Sequence, residues 1–389
     1  MKGFKFAGIH SGIKKNDQKD LGLICCETPA VSAALFTRNM VIAAPVILGK
    51  EQIKKGLCQA VLVNSGNANC FTGDRGIEDA IACSKMVAAS LEIPQDLVLT
   101  SSTGVIGQNL PMEKFKTGVP KIVTQLSENH IDDFADAILT TDTCKKVVKK
   151  SGMIKEKKFS IMGIAKGSGM IRPDMATMLA FICTDINISA KNLKTSLTAA
   201  NEKSFNRITI DGDTSTNDTL LALANDTSGV EINDMESKKI FQDILDKVCF
   251  DLAKMVVKDG EGATKLIQII VKGAQTKKDA FKASETIAHS NLVKTAIYGE
   301  DPNWGRITAA AGRSGAHVVP EKIDLFFDDQ ALVLKGKWLG LEAEKKTAQI
   351  MKKDDITILL DLNLGNETDY FWFCDFSENY VKINAEYRS

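Results

Sequence analysis

The stretch Lys166-Gly167-Ser168-Gly169-Met170-Ile171-Arg172-Pro173-Asp174-Met175-Ala176-Thr177-Met178-Leu179 leads from a glycine loop into an apolar run. The run extends from Thr177 to Cys183, and its composition predicts a buried strand. A threonine that opens a buried strand can act as a nucleophile if the chain is cut just before it. The freed α-amino group then lies beside the hydroxyl and can serve as its base. Alternatively, Thr177 is an ordinary strand residue of high β-propensity.

The composition is that of a soluble globular protein, with 44% hydrophobic and 25% charged residues. The 389 residues suffice for one large or two ordinary domains. Because 49 Lys and Arg balance 49 Asp and Glu, the charge argues against binding to nucleic acid or to a membrane surface. The chain shows neither an apolar run of membrane-spanning length nor a signal-peptide core. We therefore expect a cytoplasmic protein.

The cysteines and histidines do not predict a metal site. The nine cysteines show no CxxC spacing, which is typical of reduced, packed thiols in a cytosolic protein. The four histidines lie far apart in the sequence, without the spacing of zinc ligands. We expect no metal.

Alternating strand and helix signals predict an α/β or α+β protein. The predicted strands are Leu21–Cys26, Val31–Phe36, Gln59–Val63, Leu97–Thr100, Phe159–Ala165, Thr177–Cys183, Leu266–Val271, Leu325–Leu334, Ile356–Leu362 and Trp372–Ile383. Helices are predicted after Gly76, over residues 120–139, 189–204 and 237–258, and after Ser284. Ser237 and Ser284 are the predicted N-caps of the last two.

Two of the loops between these elements contain residues suited to catalysis or to binding a charged ligand. In Ser101–Gly107, hydroxyls are followed by glycine, so a side-chain O–H and a backbone N–H can face one oxygen, as in an oxyanion hole. Asp259–Lys265 places a carboxylate between two glycines, which suits a cation-facing site. For Ser101–Gly107 an ordinary junction of strand and turn is favoured on these residues alone, and Asp259–Lys265 is also compatible with a tight turn.

Common motifs are absent from the sequence. It contains no GxxxxGK[ST] phosphate loop, no GxGxxG after a first strand and no GxSxG elbow. Asp211–Asp218 faintly suggests a calcium loop, but the glycine and glutamate that such a loop needs are replaced by Thr216 and Ala222. Nucleotide-binding, serine-hydrolase and calcium-binding functions therefore lack support.

Taken together, the motifs resemble the ornithine acetyltransferase family, the glutamate N-acetyltransferases of cyclic arginine biosynthesis. The resemblance covers nearly the whole chain. It rests on Val63–Asn69, Ser102–Gly107, Thr140–Thr143, Lys166–Leu179, Asp211–Asp218, Asp259–Lys265, Gly299–Arg306 and Asn384. It implies a layered α/β fold like that of N-terminal-nucleophile enzymes.

The resemblance further implies self-cleavage between Ala176 and Thr177. The products would be an α chain of residues 1–176 and a β chain of residues 177–389, which share one core and form the active site together. An α2β2 heterotetramer is the expected assembly. No cofactor is expected, because acetyl passes directly through the threonine. The sequence does not show whether the protein would also accept acetyl-CoA as an acetyl donor, as some members of the family do.

The implied activity is a ping-pong transfer of acetyl from N-acetylornithine to glutamate. Both substrates carry an α-carboxylate and therefore need a cationic partner, and ornithine also needs an anionic one. The implied roles are Thr177 as nucleophile, Thr103 and Gly104 as oxyanion hole, Lys166 and Glu261 as charged partners, and Thr140 or Thr141, Asn384 and Ser389 as further substrate contacts.

Two other functions remain open at this point. One is an amidase or aminopeptidase with a similar self-processing threonine, in which water accepts the acyl group. The other is an uncleaved binding protein without enzymatic activity. An intact Ala176-Thr177 bond in the purified protein would favour the second.

Overall fold

The computed structural model describes residues 1–172 and 178–386. The chain divides into two compact units, each containing one sheet with helices. Unit 1 comprises Met1–Asn206 and Asp213–Val256, and unit 2 comprises Arg207–Gly212 and Val257–Ser389. The predicted α/β class is confirmed. Within the described ranges, no helix has the length and apolarity needed to cross a membrane.

Fifteen strands and eleven α-helices make up these units in the described part of the chain. The strands are β1 Phe4–Ile9, β2 Leu21–Phe36, β3 Leu57–Asn67, β4 Val98–Val105, β5 Lys146–Ile154, β6 Lys157–Lys166, β7 Leu179–Thr184, β8 Ile208–Thr209, β9 Thr219–Ala224, β10 Leu266–Ala274, β11 Asp324–Phe327, β12 Gln330–Leu334, β13 Lys337–Trp338, β14 Asp355–Asp361 and β15 Glu367–Cys374. The helices are α1 Ala44–Gln52, α2 Gly73–Leu91, α3 Met112–Thr124, α4 Ile131–Ala137, α5 Ala190–Lys203, α6 Met235–Lys258, α7 Lys277–Ala288, α8 Asn291–Tyr298, α9 Trp304–Gly312, α10 Leu341–Ile350 and α11 Glu378–Ala385.

The sheet of unit 1 has the order β4-β3-β2-β9-β7-β6-β5, with β1 paired to β2. In the middle of this sheet, β7 pairs with β6 antiparallel and with β9 parallel, so that Leu179 lies opposite both Lys166 and Thr219. All six residues of β7 are buried, as expected for an interior strand that is covered on both faces. Strands from both sides of the Ala176-Thr177 bond therefore belong to one sheet.

Aromatic side chains connect the N-terminal strands of unit 1 to β7. The rings of Phe6 and Phe134 lie 6.2 Å apart, and those of Phe134 and Phe181 lie 5.6 Å apart in an edge-to-face arrangement. All three side chains are fully buried. Aromatic pairs with this geometry contribute about 0.5–1.5 kcal/mol beyond the burial of their area. These contacts hold α4 against the sheet and so place the turn that follows α4.

The sheet of unit 2 has the order β13-β12-β11-β14-β10-β15-β8. Strand β10 lies in the interior of this sheet and pairs with β14 parallel and with β15 antiparallel. Residues Ile267, Ile269 and Val271 of β10 are fully buried in a core cluster that also includes residues of α7, α8 and α9. The C-terminal end of β15 and the start of β10 therefore lie side by side, and the Asp259–Lys265 turn precedes this point.

The structure corrects three helix predictions. Residues 120–139 do not form one helix, because α3 ends at Thr124 and α4 begins only at Ile131. Ser237 is not the N-cap of α6, which begins at Met235, and the carboxylate of Asp234 accepts the Ser237 N–H at 2.7 Å. Ser284 lies inside α7, where its hydroxyl donates to the carbonyl of Ala280 at 2.9 Å.

Most predicted strands lie where strands are found, but several begin or end at other residues than predicted. The two predicted strands Leu21–Cys26 and Val31–Phe36 form the single strand β2, whose register shifts between Cys25 and Ala30. The prediction of a strand over Trp372–Ile383 is wrong for its second half, because β15 ends at Cys374 and α11 follows. Strands β1, β5, β8, β9 and β13 were not predicted.

Candidate active site

Thr103 and Gly104 lie at the C-terminal end of β4, paired with Ser65 and Gly66 of β3. Gly104 has a φ of +133°, and a Cβ at this position would lie 2.3 Å from the carbonyl carbon of Gly66. No L-residue with a side chain fits there without moving β3, because real Cβ contacts are longer than 3.0 Å. The predicted oxyanion residues therefore lie where β4 ends and the chain bends, and the neighbouring backbone fixes this segment in place. We call residues 103–107 the oxyanion turn.

Buried amides of the asparagine-rich segment support this turn. The hydroxyl of Ser102 donates to Asn64 Oδ1 at 2.6 Å, and Asn64 Nδ2 donates to the carbonyl of Asn67 at 2.8 Å. Asn217 Nδ2 donates to the carbonyls of both Ser102 and Ala68, at 2.8 and 2.6 Å. Since each of these amides is buried, its hydrogen bonds offset the cost of removing it from water.

Lys166, the last residue of β6, extends its side chain toward this turn. Its Nζ donates to Thr140 Oγ1 at 2.8 Å and to Thr103 Oγ1 at 3.2 Å. The residue is only 8% exposed. Within residues 1–172 and 178–386, Thr103 Oγ1 donates no hydrogen bond, so it accepts from Lys166 and keeps its own proton for another acceptor. This arrangement makes the Thr103 hydroxyl a polarised donor.

A buried carboxylate, Asp142, balances the positive charge beside this turn. Its Oδ1 accepts from Lys146 Nζ at 2.7 Å and from the Gly167 N–H at 2.6 Å, and its Oδ2 accepts from the Thr140 N–H at 3.1 Å. Lys166 Nζ lies 3.9 Å from Oδ2. Burial alone would raise the pKa of Asp142, but the charges of Lys166 and Lys146 and these hydrogen bonds hold that pKa well below its usual range.

The two threonines that the sequence left as alternatives occupy different positions. Thr140 Oγ1 accepts from Lys166, whereas Thr141 Oγ1 lies 2.7 Å from Ser168 Oγ in a hydroxyl pair. Ser168 is buried. Each threonine is thus attached to a different residue of the glycine loop, and both stay candidates for substrate contact.

The second group of predicted residues lies in unit 2. Glu261 is buried, and its Oε2 accepts from Asn384 Nδ2 of α11 at 2.8 Å. Gly262, with a φ of +68°, lies directly against the first turn of α11, where a Cβ would be 2.6 Å from the Tyr380 nitrogen. Ser377 Oγ donates to the Gly262 carbonyl at 2.6 Å. The end of the chain and the Asp259–Lys265 turn are therefore held together.

Asp375 fixes the other end of this turn. Its Oδ1 accepts from the backbone N–H groups of Thr264 and Lys265 at 2.8 and 2.9 Å, and its Oδ2 accepts from Thr264 Oγ1 at 2.6 Å. Asp375 is buried, so three donors replace the water that its charge has lost. This residue positions the turn that carries Glu261.

The structure thus brings the predicted site residues together in two groups. Thr103, Gly104, Thr140 and Lys166 meet in unit 1, and Glu261 and Asn384 meet in unit 2. Thr177 and Ala176, together with Ser389, lie outside the described residues.

Two participants were missed from the sequence, Asp142 and Ser168. Asp142 belongs to a motif that was recognised without a role for its carboxylate, and Lys146 four residues later was an available signal. Among the described residues, no group of three or more His, Cys, Asp or Glu side chains could hold a metal ion.

Comparison with known proteins shows the family of the chain. The model of the ArgJ family matches residues 5–389. The arginine biosynthesis bifunctional protein ArgJ of Geobacter sulfurreducens is 46% identical over 391 residues and covers all of both chains. That of Bacillus cereus is 45% identical over all of this chain and 95% of its own.

A solved structure of the arginine biosynthesis bifunctional protein argJ from Bacillus halodurans is similar in both sequence and fold. It is 42% identical, with a TM-score of 0.51, and the match covers 53% of this chain and 97% of that one. The family model, the full-length relatives and this structure agree with one another. The chain belongs to the ArgJ family.

Proposed function

We propose that this protein is a glutamate N-acetyltransferase that moves acetyl from N-acetylornithine to glutamate through an ester on Thr177. Membership of the ArgJ family supports a role in arginine biosynthesis. The observation that carries the proposal is the Thr103 hydroxyl at the end of β4, which accepts from buried Lys166 beside the sterically fixed Gly104. A donor pair fixed in this way suits the oxyanion of acyl transfer.

Maturation would proceed by cleavage between Ala176 and Thr177. Thr177 Oγ attacks the carbonyl carbon of Ala176, the C–N bond breaks, and the amine takes up the hydroxyl proton. Water then hydrolyses the ester, which leaves a carboxylate on Ala176 and restores the Thr177 hydroxyl. The Bacillus halodurans chain supports a cut of this kind, because 97% of it matches only 53% of this chain, so it is about half as long.

The two products would remain associated without a covalent link. The α chain would contribute β1 to β6 to the sheet of unit 1, and the β chain would contribute β7 and β9 to the middle of that sheet. Separating them would expose the fully buried β7 to water, at about 25 cal/mol per Å² of apolar surface. Two such αβ pairs would form the α2β2 heterotetramer.

In the mature enzyme the free α-amino group of Thr177 would take the proton of its own hydroxyl. Its ordinary pKa of about 7.7–8.0 makes it available as a base near neutral pH. Thr177 Oγ attacks the acetyl carbon of N-acetylornithine, and ornithine leaves with the proton. The amine of glutamate then attacks the ester, and its proton returns to Thr177. No cofactor takes part in either half-reaction.

Electrostatic stabilisation would come from the oxyanion turn. The Thr103 hydroxyl and the Gly104 N–H would donate to the oxygen of both tetrahedral intermediates. Loss of one such donor typically raises the barrier by about 2.7–4 kcal/mol. Lys166, by donating to Thr103 Oγ1, would strengthen the first of these donors in addition to attracting the substrate carboxylate.

Substrate selection would depend on charge. Lys166 would face the α-carboxylate that both substrates share, and Glu261 would pair with the side-chain ammonium of ornithine. Asn384 fixes the Glu261 carboxylate, and Thr140 or Thr141 and Ser389 would complete the contacts. Such a set of charges is more than a hydrolase needs for a water acceptor, which favours transfer over amidase activity.

The proposal is tested by following acetyl in a single turnover. The purified protein is mixed with labelled N-acetylornithine, alone and with glutamate, and both the protein and the products are analysed by mass spectrometry. One acetyl group on the fragment that begins at Thr177, released as N-acetylglutamate by glutamate, is the expected result. Release as free acetate at the same rate with and without glutamate would show an amidase instead. Acetyl-CoA as donor in parallel shows whether the enzyme is bifunctional.

A further inference from the structure

A second cation lies beside the oxyanion turn and is not used in the mechanism above. Lys14 belongs to the loop between β1 and β2, and its Cγ lies 3.0 Å from the position that a Cβ on Gly66 would occupy. Gly66 is the strand partner of Gly104. The aliphatic stem of Lys14 therefore packs against the backbone that forms the oxyanion turn.

Hydrogen bonds to one buried carboxylate hold the loop that contains Lys14 in a defined conformation. Buried Asp20 accepts from the backbone N–H groups of Ser11, Ile13 and Lys14, at 2.7, 2.6 and 3.0 Å. The Asp20 carbonyl in turn accepts the N–H of Ser65, the residue paired with Thr103. The Asp20 carboxylate therefore fixes the loop, and the Asp20 backbone carbonyl attaches the loop to the strand beside the site.

The ammonium of Lys14 has capacity for a ligand. Its Nζ donates to the Lys19 carbonyl at 2.9 Å, and this is its one hydrogen bond within residues 1–172 and 178–386. An ammonium has three donors. Burial and the charge of Lys166 lower the pKa of Lys14, whereas the charges of Asp20, Asp142 and Asp136 raise it, and the net shift is downward. The two donors that remain on the Lys14 ammonium are available to an anionic ligand.

The reaction itself requires such a cation. If, as proposed above, N-acetylornithine and glutamate use one site in turn, that site must accept side chains of opposite charge. Glu261 suits the ammonium of ornithine but would repel the side-chain carboxylate of glutamate. Lys166 would already face the α-carboxylate that both substrates carry. The second carboxylate of glutamate therefore needs a positive partner of its own.

We propose that Lys14 binds the side-chain carboxylate of the acceptor and so selects a dicarboxylic amino acid in the second half-reaction. This inference rests on the proposed function. It makes Lys14 a specificity residue for the acceptor alone, because N-acetylornithine has no carboxylate at that end. The loop fixed by Asp20 would present the ammonium, and the bond to the Lys19 carbonyl would hold it in place.

The test is Lys14→Met, which keeps the stem on Gly66 and removes the charge. KM for glutamate should rise about tenfold, as expected for one lost charge-assisted hydrogen bond at a partly exposed site, with KM for N-acetylornithine within about twofold of wild type. The preference for glutamate over glutamine as acceptor should fall by the same factor. Lys14→Arg should restore both values, and Lys15→Met, at the exposed neighbouring position, should change neither.

Other outcomes would overturn the inference. An equal rise in both KM values would mean that Lys14 serves the shared α-carboxylate, and unchanged values would mean that it contacts neither substrate. If Lys14→Met does not fold, Lys14→Gln replaces it, because its amide can still donate to the Lys19 carbonyl. If the wild-type protein makes no N-acetylglutamate, the proposed function is refuted. If the wild type is active and Lys14→Met has the same KM for glutamate, this inference alone is refuted.

Discussion

Replacing Gly104 with alanine tests whether the oxyanion turn depends on backbone contact between β3 and β4. The added Cβ would lie 2.3 Å from the Gly66 carbonyl carbon and 2.5 Å from the Asn67 nitrogen, where ordinary contacts begin at 3.4 Å. The strands must separate by about 1 Å, and a displacement of that size can reduce a catalytic rate about 10²-fold. Loss of the Gly104 N–H as a donor would reduce it about 10²- to 10³-fold.

Gly107→Ala is the matched control for this prediction. Gly107 lies in the same turn with a φ of +84°, but an added Cβ would meet nothing within 4 Å. Gly107→Ala should therefore lower the free energy of unfolding by only about 1 kcal/mol, through backbone strain. The variant should be acetylated on Thr177 at nearly the wild-type rate. The assay is rapid quench with mass spectrometry of acetyl-enzyme, alongside urea unfolding. Equal losses in the two variants, or wild-type rates in Gly104→Ala, would refute the steric argument.

Three further predictions concern the charges around the site. Asp142→Asn should lower the free energy of unfolding by about 3–5 kcal/mol at pH 7, because it removes a buried anion that accepts from Lys146. Since the pKa of Asp142 is held low, this deficit in urea unfolding should stay constant down to about pH 4 and shrink only below it; a deficit that shrinks between pH 7 and 5 would contradict the assignment. Lys166→Met should slow acetylation of the enzyme about 10²-fold. The double variant Lys166→Met/Thr103→Val should be only a little slower in single turnovers than Thr103→Val alone, because both substitutions remove the same hydrogen bond. Fully additive effects would mean that the two residues act separately. Asp375→Asn should raise KM for N-acetylornithine severalfold through the Glu261 turn with KM for glutamate unchanged, and equal rises would exclude a role confined to ornithine.

Interior strands could be predicted from the sequence because their apolar runs are short and bounded by turn residues. The run after Thr177 and the run Leu266–Val271 form β7 and β10, which are interior strands of their sheets. Strand β9, Thr219–Ala224, was not predicted, because a run of leucine and alanine lacks the β-branched residues that indicate a strand. Helix α11 also escaped, since its contacts with Gly262 depend on the fold of unit 2.

The site was predicted only in part, because its contacts join residues that are remote in sequence. Lys166 meets Thr103, which lies 63 residues earlier, and only the strand order of unit 1 brings them together. The resemblance supplied both residues without the hydrogen bond between them. The role of Asp142 could not be predicted, because its low pKa depends on two lysines and a backbone N–H that converge only after folding.

The most direct test of Thr177 as nucleophile is intact mass with N-terminal sequencing of the purified protein, beside a Thr177→Ala variant. We predict two fragments from the wild type, residues 1–176 and a second that begins Thr-Met-Leu-Ala, and an uncut variant. A single 42.3 kDa chain in both samples, or a cut at another bond, would contradict the proposed mechanism.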